Sequence, residues 1–299
     1  MQPAACSNAR LLWSGKPCDG LSQRGLLFVA LYPEALGLIR HNPAGHAMFE
    51  FDALGDLASR LDPQTVGYNC DDLPIGVDPD EIPANGLSIV ETVRGIESNG
   101  SWMVLKFTER DPAYRVLLET TLRELSPVVT PRTASTHQLE EFIFLSSPGS
   151  VTPLHFDPEH NILLQLRGTK TMTVFPQTDA KIAPDEAHER FHKGLAHRNL
   201  AWREDFALRG RAFYLKPGDV MHVPVMAPHW VKNRPDVSGS FSVTRRSEWS
   251  YAMAGPGAFN SVLRTSGLNP AQPARYPVQN HIKALAWRAL RKSGVVKRS

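Results

Sequence analysis

From about residue 140 the chain becomes a succession of short apolar runs, EFIFL, NILLQL, TMTVF, RAFYL, DVMHVP and GSFSVT, each closed by turn residues. Runs of this length with no helical period between them are the pattern of strands in an antiparallel sandwich or barrel, which excludes an all-helical fold. The 24 prolines and 21 glycines of the 299 residues supply the turns that such a fold needs. Arg167-Gly168 is expected to make a hairpin turn in the middle of the series. The polar stretch from Asp179 to Asp205, rich in His and Arg, is expected as an exposed excursion between strands.

Helical patterns flank this region. Asp52 is placed to cap a helix carrying Leu54, Leu57, Ala58 and Leu61, with Pro63 after its end. Residues 68 to 85 read as a long loop. Ser88 and Glu91 form a capping-box pattern ahead of Ile89, Val93 and Ile96, with Asn99-Gly100 as the stop, and WMVLKF follows as a strand. A third helix is expected over 111 to 125, ended by Pro127. Residues 247 to 277 are punctuated by proline and glycine. A last helix is expected over 281 to 292, whose stripe of Ile282, Leu285, Ala286, Ala289 and Leu290 would pack on the barrel or on a second copy. The resulting division is an irregular segment at 1–25, helical and strand decoration at 26–139, a core at 140–250 and a C-terminal extension at 251–299.

Composition narrows the classes. A formal charge of +3 gives no basis for a nucleic-acid partner, although RKSGVVKRS gathers basic residues at the C-terminus. Cys6, Cys18 and Cys70 are odd in number and widely spaced, so no disulfide framework or zinc knuckle is indicated and a reducing cytoplasm is expected. The apolar stretch from Leu26 to Tyr32 is far shorter than the ~18 residues of a membrane span, and no secretory pattern precedes it.

The chemistry-bearing motif is TPLHFDPEHNILLQLRGTK, residues 152 to 170, answered far downstream by GDVMHVPVMAPHW, residues 218 to 230. On a strand, positions 155 and 157 point to one face, so His155 and Asp157 can grip one ion. A third ligand must come from a strand remote in sequence. His229 and His222 are the two candidates: His229 is favoured because it follows a strand by a short loop, at the mouth of a barrel, whereas His222 sits mid-strand. Two histidines and one carboxylate leave coordination positions open, the arrangement of non-heme Fe(II) oxygenases. His41, His46, His188, His192 and His197 are read as solvated.

The pattern T-P-x-H-x-D, then Asn161, R-G-x-K, V-F-P and P-G-D-V-x-x-x-P-x-x-x-x-H, resembles the JmjC and cupin-like Fe(II)/2-oxoglutarate-dependent oxygenases, over about residues 140 to 246. The branch it is most similar to contains the asparaginyl hydroxylase that inhibits hypoxia-inducible factor. The resemblance implies a double-stranded β-helix, or jelly roll, with His155, Asp157 and His229 on the iron. It further implies that Lys170 binds the far carboxylate of 2-oxoglutarate, assisted by Thr152 and Asn161. A strand lysine ordinarily faces solvent, but Lys170 shares its face with Met172 and Val174, and an inward lysine among apolar neighbours needs a counter-charge. Thr244 and Arg246 stand where that hydroxylase carries an asparagine and a tryptophan, which leaves the substrate open.

The implied activity is oxidative decarboxylation of 2-oxoglutarate to succinate and CO2, coupled to hydroxylation of a protein side chain or small metabolite. Two rivals keep the metal: a cupin that binds a ligand as a sensor or regulator without turnover, and a metal enzyme that uses no 2-oxoglutarate. The expected partners are a protein or small-molecule substrate and, through the C-terminal helix, a second copy of the chain; no membrane is expected.

Overall fold

The computed structural model describes residues 31–40, 46–71, 73–77, 81–274, 280–294 and 296. The irregular segment expected at 1–25, together with Cys6, Cys18 and His41, lies outside them. Two antiparallel sheets face one another. The larger has seven strands in the order β1-β9-β6-β11-β4-β3-β2, and the smaller has four in the order β5-β10-β7-β8. The strands are β1 Gly37–Arg40, β2 Val66–Cys70, β3 Ser101–Lys106, β4 Thr136–Ser146, β5 Val151–His155, β6 His160–Arg167, β7 Lys170–Val174, β8 Arg211–Leu215, β9 Asp219–Val223, β10 His229–Asn233 and β11 Ser238–Ser247. The apolar runs after residue 140 are all strands, and the two-sheet jelly roll is the architecture those runs imply.

Alternation sorts the side chains of the large sheet. Ile162 and Leu164 on β6, Phe241 and Val243 on β11, and Ile143 and Leu145 on β4 point to one core. Helices cover that face: α1 Phe51–Arg60, α2 Ile89–Arg94 and α3 Pro112–Thr133 contribute Leu54, Leu57, Val93, Leu118 and Leu125. Each fully buried Leu or Phe there stabilises by roughly 1.5–3 kcal/mol relative to exposure. The opposite face turns toward the small sheet and encloses a second apolar cluster, with Leu163, Met172, Val174 and Val231, and beside it the cavity described below.

Several local expectations need correction. The N-cap of α1 is Glu50, and Asp52 lies in the first turn. Residues 68–70 belong to β2, held by β3, so the loop starts later. In α2 both halves of the capping box form, but the helix ends at Gly95, ahead of Asn99-Gly100. Pro127 does not end α3, which continues through Pro131 to Thr133; burial of Val128 and Val129 in the core outweighs the backbone bonds that the two prolines cannot make. Gly168 does turn the chain, at φ 62°, but β6 and β7 lie in different sheets, so the turn joins sheets and is not a hairpin.

The C-terminal third also departs from expectation. Residues 248–265 form an 18-residue helix, α5, begun by a reciprocal Ser247/Ser250 capping box and continuing past Pro256. The Asp179–Asp205 insert contains a helix, α4 Asp185–Lys193, whose buried Glu189 accepts two hydrogen bonds from Arg264 of α5. Ile182, Ala183 and Leu200 are buried beside Leu154 and Trp249, because the insert folds back onto β5 and α5. His188 and His192 are accordingly half-buried, and burial pushes them down to about 4 and about 3; His197 is exposed. The last helix, α6 His281–Lys292, has the expected bounds, but Ala284 and Trp287 are what face Gly255 of α5. Its apolar stripe does not pack on the barrel: Ile282 is 85% exposed and Leu285 61%.

Candidate metal centre

His155 and Asp157 come from the end of β5 and the residue pair after it, and His229 opens β10. In the ladder His229 stands directly opposite His155. Between this pair and the next, Val231 opposite Thr152, β5 contains one residue more than β10. Pro153 occupies this irregularity, a position where its missing N–H costs the ladder nothing. The bulge brings both imidazoles to the same side, with ring centroids 4.2 Å apart.

Hydrogen bonding fixes the tautomers. His155 Nδ1 is 2.7 Å from the carbonyl of Pro153 and His229 Nδ1 is 3.0 Å from that of Ala227. A carbonyl only accepts, so each Nδ1 carries a proton and Nε2 is the nitrogen of each ring left free to ligate. Those two Nε2 atoms lie 3.9 and 3.6 Å from Asp157 Oδ2. One donor atom from each of the three side chains falls within 4.8 Å of the others, the geometry of a three-ligand divalent metal site. Burial, and then His229 beside it, hold His155 well below its ordinary value. Burial works to raise Asp157, but Arg198, both histidines and Asn161 outweigh it and keep the carboxylate ionised. Neutral imidazoles and an ionised carboxylate are the forms that ligate.

His222 is not part of this trio. On β9, Met221 and Val223 point into the inter-sheet cluster while Val220 and His222 point to the other face. There His222 packs against Tyr32 and donates its Nδ1 proton to the carbonyl of Ala35 at 3.0 Å. Its strand register, not its residue type, removes it from the site.

A cavity of about 270 Å³ opens beside His155, Asp157 and His229 and is also lined by Thr152, Asn161 and Lys170. Lys170 faces inward, 5% exposed, and donates to Ser240 Oγ at 2.5 Å. No carboxylate of the described residues is paired with it, and burial pushes it down to about 7. Asn161 donates to Asp157 Oδ2 at 3.4 Å and accepts from Ser242 Oγ at 2.9 Å, so its observed bonds brace the acidic ligand. Thr152 lines the cavity without a side-chain bond among those described. On the last strand, Thr244 lines the cavity and Arg246 pairs with Glu159 at 3.2 Å.

Four residues of this site carry no signal in the motif. Ser240 and Ser242 alternate inward on β11, Asn233 lies opposite Lys170 in the β10–β7 ladder, and Arg198 of the insert donates to Asp157 Oδ1 at 2.7 Å. The serines were findable from the alternation of GSFSVT. Arg198 was not, because only the folded insert brings it back to β5.

Compared with known proteins, residues 111–246 match the family model described as a cupin-like domain. The chain is 35% identical over 104 residues to lysine-specific demethylase 8 of Danio rerio, a match covering 32% of this chain and 24% of that protein. It is 28% identical over 106 residues to JmjC domain-containing protein D of Dictyostelium discoideum, covering 33% of this chain and 23% of that protein. The aligned stretch thus spans about a quarter of the length of these relatives. Among solved structures, ycfD of E. coli superposes with a TM-score of 0.52 at 14% identity, covering 93% of this chain and 69% of that one, a likeness of fold. Residues 111–246 are therefore similar to a cupin-like domain, and part of the chain is similar to the JmjC-domain proteins.

Proposed function

We propose that the protein is a metal-dependent 2-oxoglutarate oxygenase, with His155, Asp157 and His229 holding Fe(II) and Lys170 taking the far carboxylate of 2-oxoglutarate. The observation that carries this reading is Lys170: a buried amine bonded to the Ser240 hydroxyl and paired with no carboxylate of the described residues, in the same cavity as His155, Asp157 and His229. A dicarboxylate supplies what both ends lack, a chelating group toward the metal and a counter-charge for the lysine. The metal with 2-oxoglutarate and oxygen supplies the oxidising chemistry that ends in succinate, CO2 and a hydroxylated substrate.

The chain's own residues have defined tasks in that scheme. Pro153 and Ala227 carbonyls hold the imidazoles with Nε2 toward the ion, and Asn161 braces Asp157. Gln165 accepts from Ser240 Oγ at 2.7 Å, which turns the hydroxyl's oxygen toward Lys170 and orients the ammonium. Leu163, Met172 and Val231 wall the cavity and exclude water from it. Thr152 lines the wall beside the ligands and offers a hydroxyl to the bound dicarboxylate. Trp102 and Phe144, with ring centroids 6.3 Å apart, line the β3–β4 face of the cavity and offer aromatic surface to a substrate.

The test is anaerobic titration of purified protein with Fe(II) and 2-oxoglutarate, followed by assay of succinate on admitting oxygen. Metal-dependent 2-oxoglutarate binding that is lost in Lys170→Ala supports the reading. Metal binding with no response to 2-oxoglutarate at any pH from 6 to 8 refutes it.

A further inference from the structure

We infer that Arg198 is a positioning residue for Asp157: by holding Oδ1, it leaves Oδ2 as the single ligating oxygen, so that the carboxylate takes one coordination position and not two. The inference rests on the metal reading above and adds to it a residue from outside the motif. Its starting point is the division of labour on one carboxylate. Oδ2 is the oxygen that faces both imidazole Nε2 atoms, at 3.9 and 3.6 Å. Oδ1 accepts from Arg198 Nη1 at 2.7 Å, a charge-assisted bond.

The backbone shows that this contact is built and not incidental. β5 is an edge strand of the small sheet, with β10 on one side. Its other side is taken by the insert: Phe156 N–H donates to the carbonyl of Arg198 at 3.2 Å, Leu200 N–H to that of Leu154 at 2.9 Å, and Asn199 bridges His155. Residues 198–200 thus lie along the ligand strand and deliver the guanidinium beside Asp157. The Arg198 side chain is 53% exposed while that of Asp157 is 11% exposed. A half-exposed ion pair contributes little to folding, so the consequence of the contact falls on the carboxylate's orientation. An unrestrained aspartate can turn both oxygens to a divalent ion and consume a position that a cosubstrate or oxygen needs.

The experiment uses Co(II) as the probe, because its visible absorption reports coordination number without any turnover. The full chain, Arg198→Ala, Arg198→Lys and the surface control Arg203→Ala, whose arginine pairs with Asp205 and lies over the Phe206 ring, are titrated and compared. Arg198→Ala is expected to bind Co(II) about ten- to a hundredfold more weakly, the usual loss for a residue that orients a ligand, with a changed visible band. Arg198→Lys is expected to recover most of the affinity and the wild-type band, and Arg203→Ala to match wild type. An Arg198→Ala variant with the wild-type affinity and band, or one that binds more tightly because a nearby positive charge is gone, overturns the proposal. So does a variant that has lost its near-ultraviolet circular dichroism, which would assign the side chain to folding. Wild-type protein that binds no Co(II) removes the metal reading as well, and is told apart by that.

Discussion

His229 and His155 face each other across the β10–β5 ladder, with their Nδ1 protons committed to the carbonyls of Ala227 and Pro153. The pair brings two strand ends together with both rings on one side, as the proposed metal site requires. Replacing either histidine, or Asp157, by alanine is expected to weaken divalent-metal binding by at least a hundredfold while leaving the fold intact. His222→Ala is expected to do the reverse, destabilising the protein by ~1–3 kcal/mol through a lost buried hydrogen bond but retaining the metal. Isothermal titration with Co(II) beside thermal denaturation separates the two; metal loss in His222→Ala would sink the assignment.

Lys170 carries opposite consequences for stability and binding. At ~1.4 kcal/mol per pKa unit, its depression from 10.5 to about 7 amounts to a few kcal/mol of destabilisation when no anion is bound. Lys170→Met is therefore expected to raise the melting temperature of the ligand-free protein and to abolish the further rise that 2-oxoglutarate gives the metal-loaded wild type. A lower melting temperature for the variant would show that the ammonium is already compensated.

The same group sets a pH dependence. Below about pH 7 Lys170 is charged in both the folded and the unfolded chain, so the burial cost is felt in full. Between about 7 and 10.5 the unfolded chain binds the proton and the folded one does not, so this contribution to stability rises with pH. Binding of a dicarboxylate needs the charged form and should weaken by up to about tenfold per unit above pH 7, with proton uptake. Calorimetry in buffers of different ionisation enthalpy measures that proton directly; zero uptake at pH 8 would contradict the pairing.

Glu141 offers an internal control away from the site. It is fully buried on β4, accepts from Thr108 Oγ1 at 3.1 Å, and is pushed up to about 9 by burial. The unfolded chain loses this proton near pH 4.5 and the folded chain only near 9, so its contribution to stability falls as pH rises through that window. Glu141→Gln should flatten that decline and leave metal binding unchanged, as a series of denaturant titrations from pH 5 to 9 would show.

Gly168 tests the turn between the sheets. At φ 62° an added Cβ would stand 2.1 Å from the carbonyl oxygen of Val237. Gly168→Ala is expected to cost more than the ~1 kcal/mol of a strained left-handed residue alone, with weakened 2-oxoglutarate binding because Lys170 follows two residues on. An unchanged denaturation midpoint would show that the turn can relax.

Much of the fold was legible locally. The strand runs, the Ser88–Glu91 capping box and the bounds of α6 depend on neighbours within a few residues, and they match the structure. The misreadings share a cause. Pro127 and Pro256 are helix breakers by local preference, yet both lie inside helices that bury residues beyond them. Gly168 marks a turn by itself, but which sheet the chain enters afterwards is decided by remote pairing.

The sequence by itself determined the strand-rich core, the H-x-D pair on one face and an inward lysine, since alternation along a strand is a property of adjacent residues. Only the tertiary structure decided that His229 joins the pair while His222 turns away, because that depends on the register of β10 against β5 and of β9 against β6. It also decided that Lys170 donates to Ser240 and pairs with no acid of the described residues, and that an arginine from the insert reaches Asp157. Such contacts join segments far apart in the chain, and they form where packing of the two sheets and the returning insert leaves a cation or a carboxylate facing a shared cavity.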